Sequence, residues 1–372
     1  MQVAQSVTVQ DLVEVLEQWA PPVLQESYDN SGLLVGNGSD TIQSALVSLD
    51  CTEEVVAEAI RMGAGMIVSH HPIVFNGLKR LTGANHVERT VMAAIRGGVA
   101  LYAIHTNLDN VADGVNFKLA TTVGCLPESL RILRPKPGLM HQVVVYVPSE
   151  HVQSVQQAMF DAGSGQIGKY DECGWSVPGK GTFRPLPGSE PYSGEEGLRH
   201  QADEVRLEVV VESWKLGGVL AAMKEAHPYE EVAHGVWTLQ NTSGHVGSGM
   251  VGQLIEPLSE TLFLDGLKNQ LGCAVIRHTN LRNRPIQKVA VCGGSGSFLL
   301  DDAIRAGADV FVTSDFKYHE FFGAEGRILI ADVGHYESEW KTTHLIVSRL
   351  NDYFPNFAVH LAQANPNPIH YR

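Results

Sequence analysis

Two adjacent histidines, His70 and His71, follow the apolar run Met66-Ile67-Val68 and precede Pro72. Neutral imidazole is the commonest metal ligand among side chains. The apolar run reads as a buried strand that Pro72 terminates. Neighbouring side chains on a strand point to opposite faces, so the pair reaches one site only if the chain bends, or if the rings serve two ions. Read by itself, the dipeptide is equally consistent with a turn carrying two solvated histidines.

A second cluster lies near the C-terminus. His335 and Glu339 stand four residues apart, and on a helix starting at His335 they share one face. Gly334 lets the backbone turn sharply before that helix. His105 and Asp109 repeat the spacing of four. The candidate ligand set is therefore His70, His71, Asp109, His335 and Glu339. Five mixed imidazole and carboxylate ligands exceed what one tetrahedral zinc needs. They suit two divalent ions a few ångströms apart, bridged by water and a carboxylate, as in binuclear hydrolases. Nitrogen and oxygen donors without thiolate fit Zn, Fe, Mn or Co and do not choose among them.

Other residues take lesser roles. His105 reads as a supporting or structural histidine. Asp315 and His319 are the candidate catalytic residues, placed to orient ligands or substrate and to move a proton, with solvated loop positions as the plain alternative. Glu337 is expected to face solvent. Gly293-Gly294-Ser295-Gly296-Ser297 follows a strand and opens a helix, so it resembles a phosphate-cradling turn. It lacks the Gly-Lys-Ser/Thr of a Walker A loop. No Ser-His-Asp or Cys-His arrangement and no dinucleotide fingerprint can be recognised by spacing.

The elements that must position these groups alternate between strand and helix. Thr8 caps a first helix with Leu12, Val13, Val15, Leu16 and Trp19 on its apolar face, ended by Pro21-Pro22. Ala45 to Leu49 reads as a strand, and Thr52 caps a helix closed by Gly63 and Gly65. Helix Val87 to Ile95 and strand Val99 to Ile104 then run into His105. The grammar returns near the C-terminus: strand Lys288 to Val291, helix Phe298 to Ala306, strands at Val310-Phe311-Val312 and Ile328 to Ala331. The two stretches align without a gap at an offset of 244 residues, Ala59 to Ala64 on Ala303 to Ala308, with His71 falling on Asp315. This reads as an internal duplication in an α/β core, whose polar groups emerge at strand carboxyl ends, where open α/β sheets place their sites.

Between the halves lies a segment of different texture. Strand Gln142 to Val147, helix Val152 to Ala162, strand Val205 to Val211, helix Leu216 to Ala226 and strand Val236 to Leu239 predict a small ferredoxin-like α+β domain. A Gly/Pro-rich stretch from Pro178 to Gly197 is expected to be a mobile loop. His227-Pro228-Tyr229-Glu230-Glu231 breaks the second helix, with its Tyr and Glu residues read as packing and surface groups. The expected organisation is a first half of the core over 1–135, an inserted domain over 138–245, and a second half over 246–372.

Composition bounds the function. At 372 residues the chain exceeds one ordinary core. Its net charge of −14 disfavours a nucleic-acid groove or an anionic membrane as main partner. No apolar run approaches the roughly 20 residues of a transmembrane helix, and the N-terminus does not read as a signal peptide. The five cysteines are scattered and odd in number, which predicts reduced thiols in a cytoplasmic protein.

At these residues the chain resembles the Nif3-like family, also known as GTP cyclohydrolase 1 type 2 homologues. The resemblance rests on Tyr28-Asp29-Asn30-Ser31-Gly32-Leu33, Ser69-His70-His71-Pro72, His105-Thr106-Asn107-Leu108-Asp109 with Gly114-Val115-Asn116, Gly293-Gly294-Ser295-Gly296, Thr313-Ser314-Asp315, and Gly334-His335-Tyr336 through Glu339. It covers essentially the whole chain. The middle segment resembles the inserted, PII/CutA1-like domain of the family's longer members through Ala162-Gly163-Ser164-Gly165, Gly168-Lys169-Tyr170, Gly181 to Pro185 and His227 to Glu231. Tyr28 stands where the family usually has Trp, and Ser314 where Gly is usual. The resemblance implies a two-metal site on His70, His71, Asp109, His335 and Glu339, and a toroidal homohexamer with these sites facing its interior. It implies a metal-dependent hydrolase acting on a nucleotide-like small molecule through metal-activated water. The alternative is a non-catalytic regulatory or metal-delivery protein that senses a small ligand through its PII-like domain.

Overall fold

Local chemistry sets the element boundaries around the histidines. Thr52 caps helix Glu53–Met62 by accepting from the Val55 N–H, and Gly63, at φ +72°, ends it in the left-handed turn that glycine enters without strain. The apolar run that follows forms the strand Met66–Ser69, buried at every residue. Asn85 caps His86–Gly97 in the same manner, and the chain returns as strand Ala100–Ala103. Thr8 caps Val9–Trp19 in a capping box with Asp11.

The computed structural model describes residues 6–364 and 367–372. It divides into two compact units, Met1–Pro135 with His245–Arg372, and Lys136–Gly244. In the first unit, one sheet runs Ala358–Leu361, Ser44–Ser48, Met66–Ser69, Ala100–Ala103, Gly32–Val35. The first four strands are mutually parallel and Gly32–Val35 is antiparallel. A second large sheet runs Arg277–His278, Leu329–Asp332, Val310–Ser314, Ile286–Ser295, Gly247–Leu258, Arg131–Pro135, with a parallel centre of three strands.

The internal duplication is preserved in register. Ala45 lies opposite Met66 and Val289 opposite Val310, so the offset of 244 residues between Ala45 and Val289 recurs between Met66 and Val310. The copies diverge after their second strand. The first crosses over by the helix His86–Gly97, the second by the 3-10 turn Tyr318–Ala324. The predicted helix from Phe298 begins as a 3-10 turn, Ser297–Leu299, and continues as Leu300–Arg305.

Burial on both faces explains why these strands read as unbroken apolar runs. Val289, Val291, Val310 and Val312 pack with Phe263 and Leu267 of helix Glu260–Leu271 and with Leu119 of Val115–Thr122. The alternate residues Ala290, Cys292 and Phe311 pack with Leu299, Leu300 and Phe316 on the opposite face. In the duplicate sheet, Leu46, Ile67 and Leu101 pack against Val55, Ala59 and Ala94.

The unit Lys136–Gly244 has the element order strand Met140–Pro148, helix Val152–Asp161, strands Gly174–Phe183 and His200–Glu212, helix Leu216–Ala226, strand His234–Thr238. Its antiparallel sheet runs His234–Thr238, Met140–Pro148, His200–Glu212, Gly174–Phe183. This is the split β-α-β arrangement of ferredoxin-like folds, with the helices packed on one apolar face. The expected mobile loop over 178–197 is corrected in part. Pro178 to Phe183 belong to a ten-residue strand paired with His200–Glu212. The strand lies at the sheet edge, where Pro178 and two glycines are tolerated. No helix among the described residues is long and apolar enough to cross a membrane.

One buried side chain ties the two halves of the first unit at the strand ends. Asn116 Nδ2 donates to the Asp109 carbonyl (2.9 Å), and its Oδ1 accepts from the Gly293 N–H (3.0 Å). Asn116→Leu leaves a backbone acceptor and a backbone donor unpaired, each costing about 1–3 kcal/mol when buried. We expect a loss of stability of roughly 2–6 kcal/mol on that basis, read as a lower urea midpoint at unchanged slope; an unchanged midpoint would show that the bridge is dispensable.

Candidate metal centre

The strand carboxyl ends bring the early and late polar groups together. His70 and His71 leave strand Met66–Ser69 with their rings 5.0 Å apart and tilted by 44°, so the chain does bend between them. His335 and Glu339 occupy the five-residue helix His335–Glu339, entered through Gly334 at φ +97°. Asp109 closes the short helix Thr106–Asp109.

Glu339 is the common partner. Its Oε2 lies 3.0 Å from His71 Nε2 and 3.1 Å from His335 Nε2. Its Oε1 lies 3.8 Å from His70 Nε2, which is 3.7 Å from Asp109 Oδ1. All five sequence candidates thus converge, in two groups that share one carboxylate. His319 does not join them. It is exposed, beside the rings of Tyr318 and Phe322, and among the described residues has no hydrogen bond to any ligand candidate. Asp315 reaches the site through His335.

Hydrogen bonds fix the tautomers. His70 Nδ1–H donates to the Ile104 carbonyl (2.8 Å), His71 Nδ1–H to Asp50 Oδ1 (2.8 Å) and His335 Nδ1–H to Asp315 Oδ2 (2.6 Å). Every Nε2 therefore turns a lone pair inward when the ring is neutral. His71 Nε2 and His335 Nε2 are 3.3 Å apart, an arrangement that needs a proton or a cation between them. His70 Nε2 and Asp109 Oδ1 are buried without any hydrogen-bond partner. Ligand atoms about 2 Å from one ion at a tetrahedral angle stand roughly 3.3 Å from each other, so this donor set fits a metal. His70, His71 and Glu339 bring their ligand atoms within 4.8 Å of one another.

The electrostatics follow from this crowding. Burial acts to depress the His71 imidazolium, yet hydrogen bonds to Asp50 and Glu339 outweigh it and push its pKa up to about 10. For His335 burial is likewise outweighed, by the Glu339 charge and the Asp315 hydrogen bond, and its pKa is raised to about 11. Burial, reinforced by the Glu339 charge, raises Asp109 to about 7. Burial opposes ionisation of Glu339, but the surrounding imidazoles hold its pKa well below the usual carboxylate range.

Sequence reasoning missed two acids. Asp50 stands two residues beyond strand Ser44–Ser48, at the same carboxyl edge as the histidines, and that position was a usable signal. Asp29 accepts from His105 Nδ1–H (2.7 Å), the Thr106 N–H and the Thr106 hydroxyl. These bonds, against burial, hold its carboxyl well below the usual range. One expectation is corrected. Glu337 is buried and accepts from Asn367 Nδ2 (3.0 Å). In the Gly293–Ser297 stretch, strand Ile286–Ser295 continues through the first three residues and Gly296 leads into the 3-10 turn Ser297–Leu299, so the stretch runs from a strand into a helical turn. Its glycines make room for the site: a Cβ on Gly294 would fall against Glu339 Oε1, and one on Gly296 against the Thr313 hydroxyl. Ser314, where the family usually has Gly, donates its hydroxyl to the Gly294 carbonyl (2.6 Å) and supports the same turn.

Gly294→Ala is expected to weaken divalent-metal binding at least tenfold by displacing Glu339. Gly307→Ala carries the same left-handed backbone cost in open space and should leave affinity unchanged; equal affinities in titration calorimetry would refute the crowding argument. Because His71 and His335 have raised pKa values, both rings are protonated at neutral pH, and an ion must replace those protons. Metal uptake at pH 7 should thus release about two protons, with affinity rising as pH rises. Calorimetry in buffers of different ionisation enthalpy counts them; no released proton would contradict the assignment.

The chain matches the Duf34/NIF3 (NGG1p interacting factor 3) family over residues 7–368. A GTP cyclohydrolase 1 type 2 homolog of Halalkalibacterium halodurans is 36% identical over 311 residues, 83% of each chain. One from Bacillus subtilis is 33% identical over 370 residues, 98% of this chain and 99% of that one. Among solved structures, a Bacillus cereus protein related to NIF3 superposes with a TM-score of 0.85 at 33% identity, covering 99% of this chain and all of that one. With this coverage of motifs, fold and site, the chain belongs to the Duf34/NIF3 family.

Proposed function

We propose that the protein is a metal-dependent hydrolase that holds two divalent ions, Zn, Fe, Mn or Co, and acts on a nucleotide-like small molecule. The observation that carries this reading is the shared carboxylate. Glu339 presents Oε1 to His70, whose Nε2 also faces Asp109, and Oε2 to His71 and His335. In this reading His70, His71, Asp109, His335 and Glu339 would hold the ions, and Asp50 and Asp315 keep His71 and His335 aimed inward. When bound, such ions supply Lewis acidity and activate water near neutral pH. The names of the relatives, GTP cyclohydrolase 1 type 2 homolog, support hydrolytic chemistry on a nucleotide.

Proton transfer needs a group beside the ligands. Asp315, at the site through His335 and Ser295, takes this role as an acceptor, with His319 on the adjoining turn as the more distant candidate. His105 adds a third. Its ring lies 5.4 Å from those of His70 and His71, and Asp29 fixes Nδ1–H, leaving Nε2 to take up and return a proton. Phe75 stands edge-on to His105, and Tyr28 lies 6.3 Å from Phe75. Both rings are substantially exposed, at 44% and 63%, and offer faces for a planar heterocycle. The reading keeps the homohexameric ring. It also keeps the cytoplasmic setting, with which the five free cysteines agree.

A second reading, a regulatory or metal-delivery protein without turnover, is favoured by one feature: the unit Lys136–Gly244 has a cavity of its own. Metal-loaded protein incubated with nucleotides and phosphodiesters separates the two. The hydrolase releases product, and His71→Ala lowers turnover by at least a hundredfold without restoration by added metal. Equal turnover in parent and variant, or tight binding with no product, would remove the hydrolase reading.

A further inference from the structure

The motif His227-Pro228-Tyr229-Glu230-Glu231 takes no part in the metal centre. In the unit Lys136–Gly244 its Tyr229, Glu230 and Glu231 line a cavity of ≈ 250 Å³. Three aromatic rings surround this space. Tyr229 lies with its ring centroid 6.0 Å from that of Phe183 and 5.8 Å from that of Tyr192. At the base is Glu204 of strand His200–Glu212, nine-tenths buried, with its Oε1 accepting from the Tyr229 hydroxyl (3.0 Å).

Three observations define what this cavity would accept. The carboxylate has a built place: a Cβ on Gly181 of the neighbouring strand would collide with Glu204 Oε2, so glycine there makes room for the charge. That charge has no counter-ion. Among the described residues no lysine or arginine pairs with Glu204, and none lines the cavity, whereas Glu230 and Glu231 add two further carboxylates at the rim. Burial and the hydrogen bond to Glu204 raise the Tyr229 phenol, which marks a negative local potential. A buried carboxylate is retained at least cost when a cation meets it. Aromatic faces around it favour a cation that is large and weakly hydrated over a small metal ion. Glu230 is engaged by the Glu190 N–H and no imidazole or thiol lines the space, so the cavity lacks the nitrogen and sulfur donors of a transition-metal site.

We propose that this cavity binds a small alkylammonium ligand, its charge against Glu204 and its alkyl groups between Phe183, Tyr192 and Tyr229. The volume lies below the roughly 300–1,000 Å³ of pockets that take drug-sized ligands and matches a choline-sized amine. The inference is independent of the chemistry at Glu339. It assigns a role to a motif that reads from sequence as packing and surface.

The test uses the full-length protein and choline as probe, with 3,3-dimethyl-1-butanol as the neutral isostere. By titration calorimetry or saturation-transfer NMR, choline should bind and the isostere should bind at least tenfold more weakly. Glu204→Gln, which keeps the shape, should lower choline affinity at least tenfold, and Phe183→Leu severalfold, with the far-ultraviolet circular dichroism unchanged. Should a variant fail to fold, the cation–isostere comparison on the unaltered protein decides alone. Failure of both choline and putrescine to bind at millimolar concentration would overturn the proposal. So would equal affinity for choline and its isostere, or full affinity in folded Glu204→Gln.

Discussion

A carboxylate removed from water must be met by positive charge or by donors, and Glu339 is met from the opposite end of the chain. His71, 268 residues earlier, and His70 beside it supply two of the imidazoles around Glu339. Neither half of the first unit can bury its own polar cluster alone. The early half would expose two histidines to a vacant face, and the late half would bury an uncompensated charge. The closing of the two sheets and the formation of the site are thus one event. Asn116 makes the same point in neutral groups, joining the Asp109 carbonyl to the Gly293 N–H.

The duplication explains how such distant residues come to meet. Parallel strands paired in the same register in both copies place their carboxyl ends at equivalent positions. His71 and Asp315 are equivalents at the offset of 244 residues, and they serve the site differently. His71 aims its Nε2 at Glu339, while Asp315 orients the imidazole of His335. Asp50 does for His71 what Asp315 does for His335. A second row of carboxylates therefore stands behind the imidazoles, fixing their tautomers and raising their basicity. The same acids keep the rings charged until a cation replaces the protons.

Much of this was legible in the sequence because it is local. The caps at Thr8 and Thr52, the apolar strands and the spacing of four between His335 and Glu339 are statements about neighbours, and the structure repeats them. What was not legible depends on long-range packing. Glu337 reads as solvated, yet Asn367 meets it inside the fold. The glycines from 293 to 296 carry the composition of an anion loop, but their smallness is required by Glu339 and Thr313. Pro178 to Phe183 reads as a loop by composition, yet its backbone is paired along strand His200–Glu212, an edge position that tolerates proline. His105 reads as a supporting histidine from spacing alone. Only the fold reveals Asp29 holding it beside His70 and His71.

The two units pose the same electrostatic problem and answer it with different neighbours. Each buries a glutamate against a glycine whose missing side chain makes room: Glu339 against Gly294, and Glu204 against Gly181. Around Glu339 the neighbours are imidazoles with fixed lone pairs, which reward a small ion that accepts several donors at about 2 Å. Around Glu204 they are the rings of Phe183, Tyr192 and Tyr229, which offer π faces in place of lone pairs. A strongly hydrated ion loses its water shell without replacement in such surroundings, whereas an alkylammonium has little shell to lose. The choice of cation thus lies in the side chains that surround the carboxylate, since the carboxylate and its glycine are common to both.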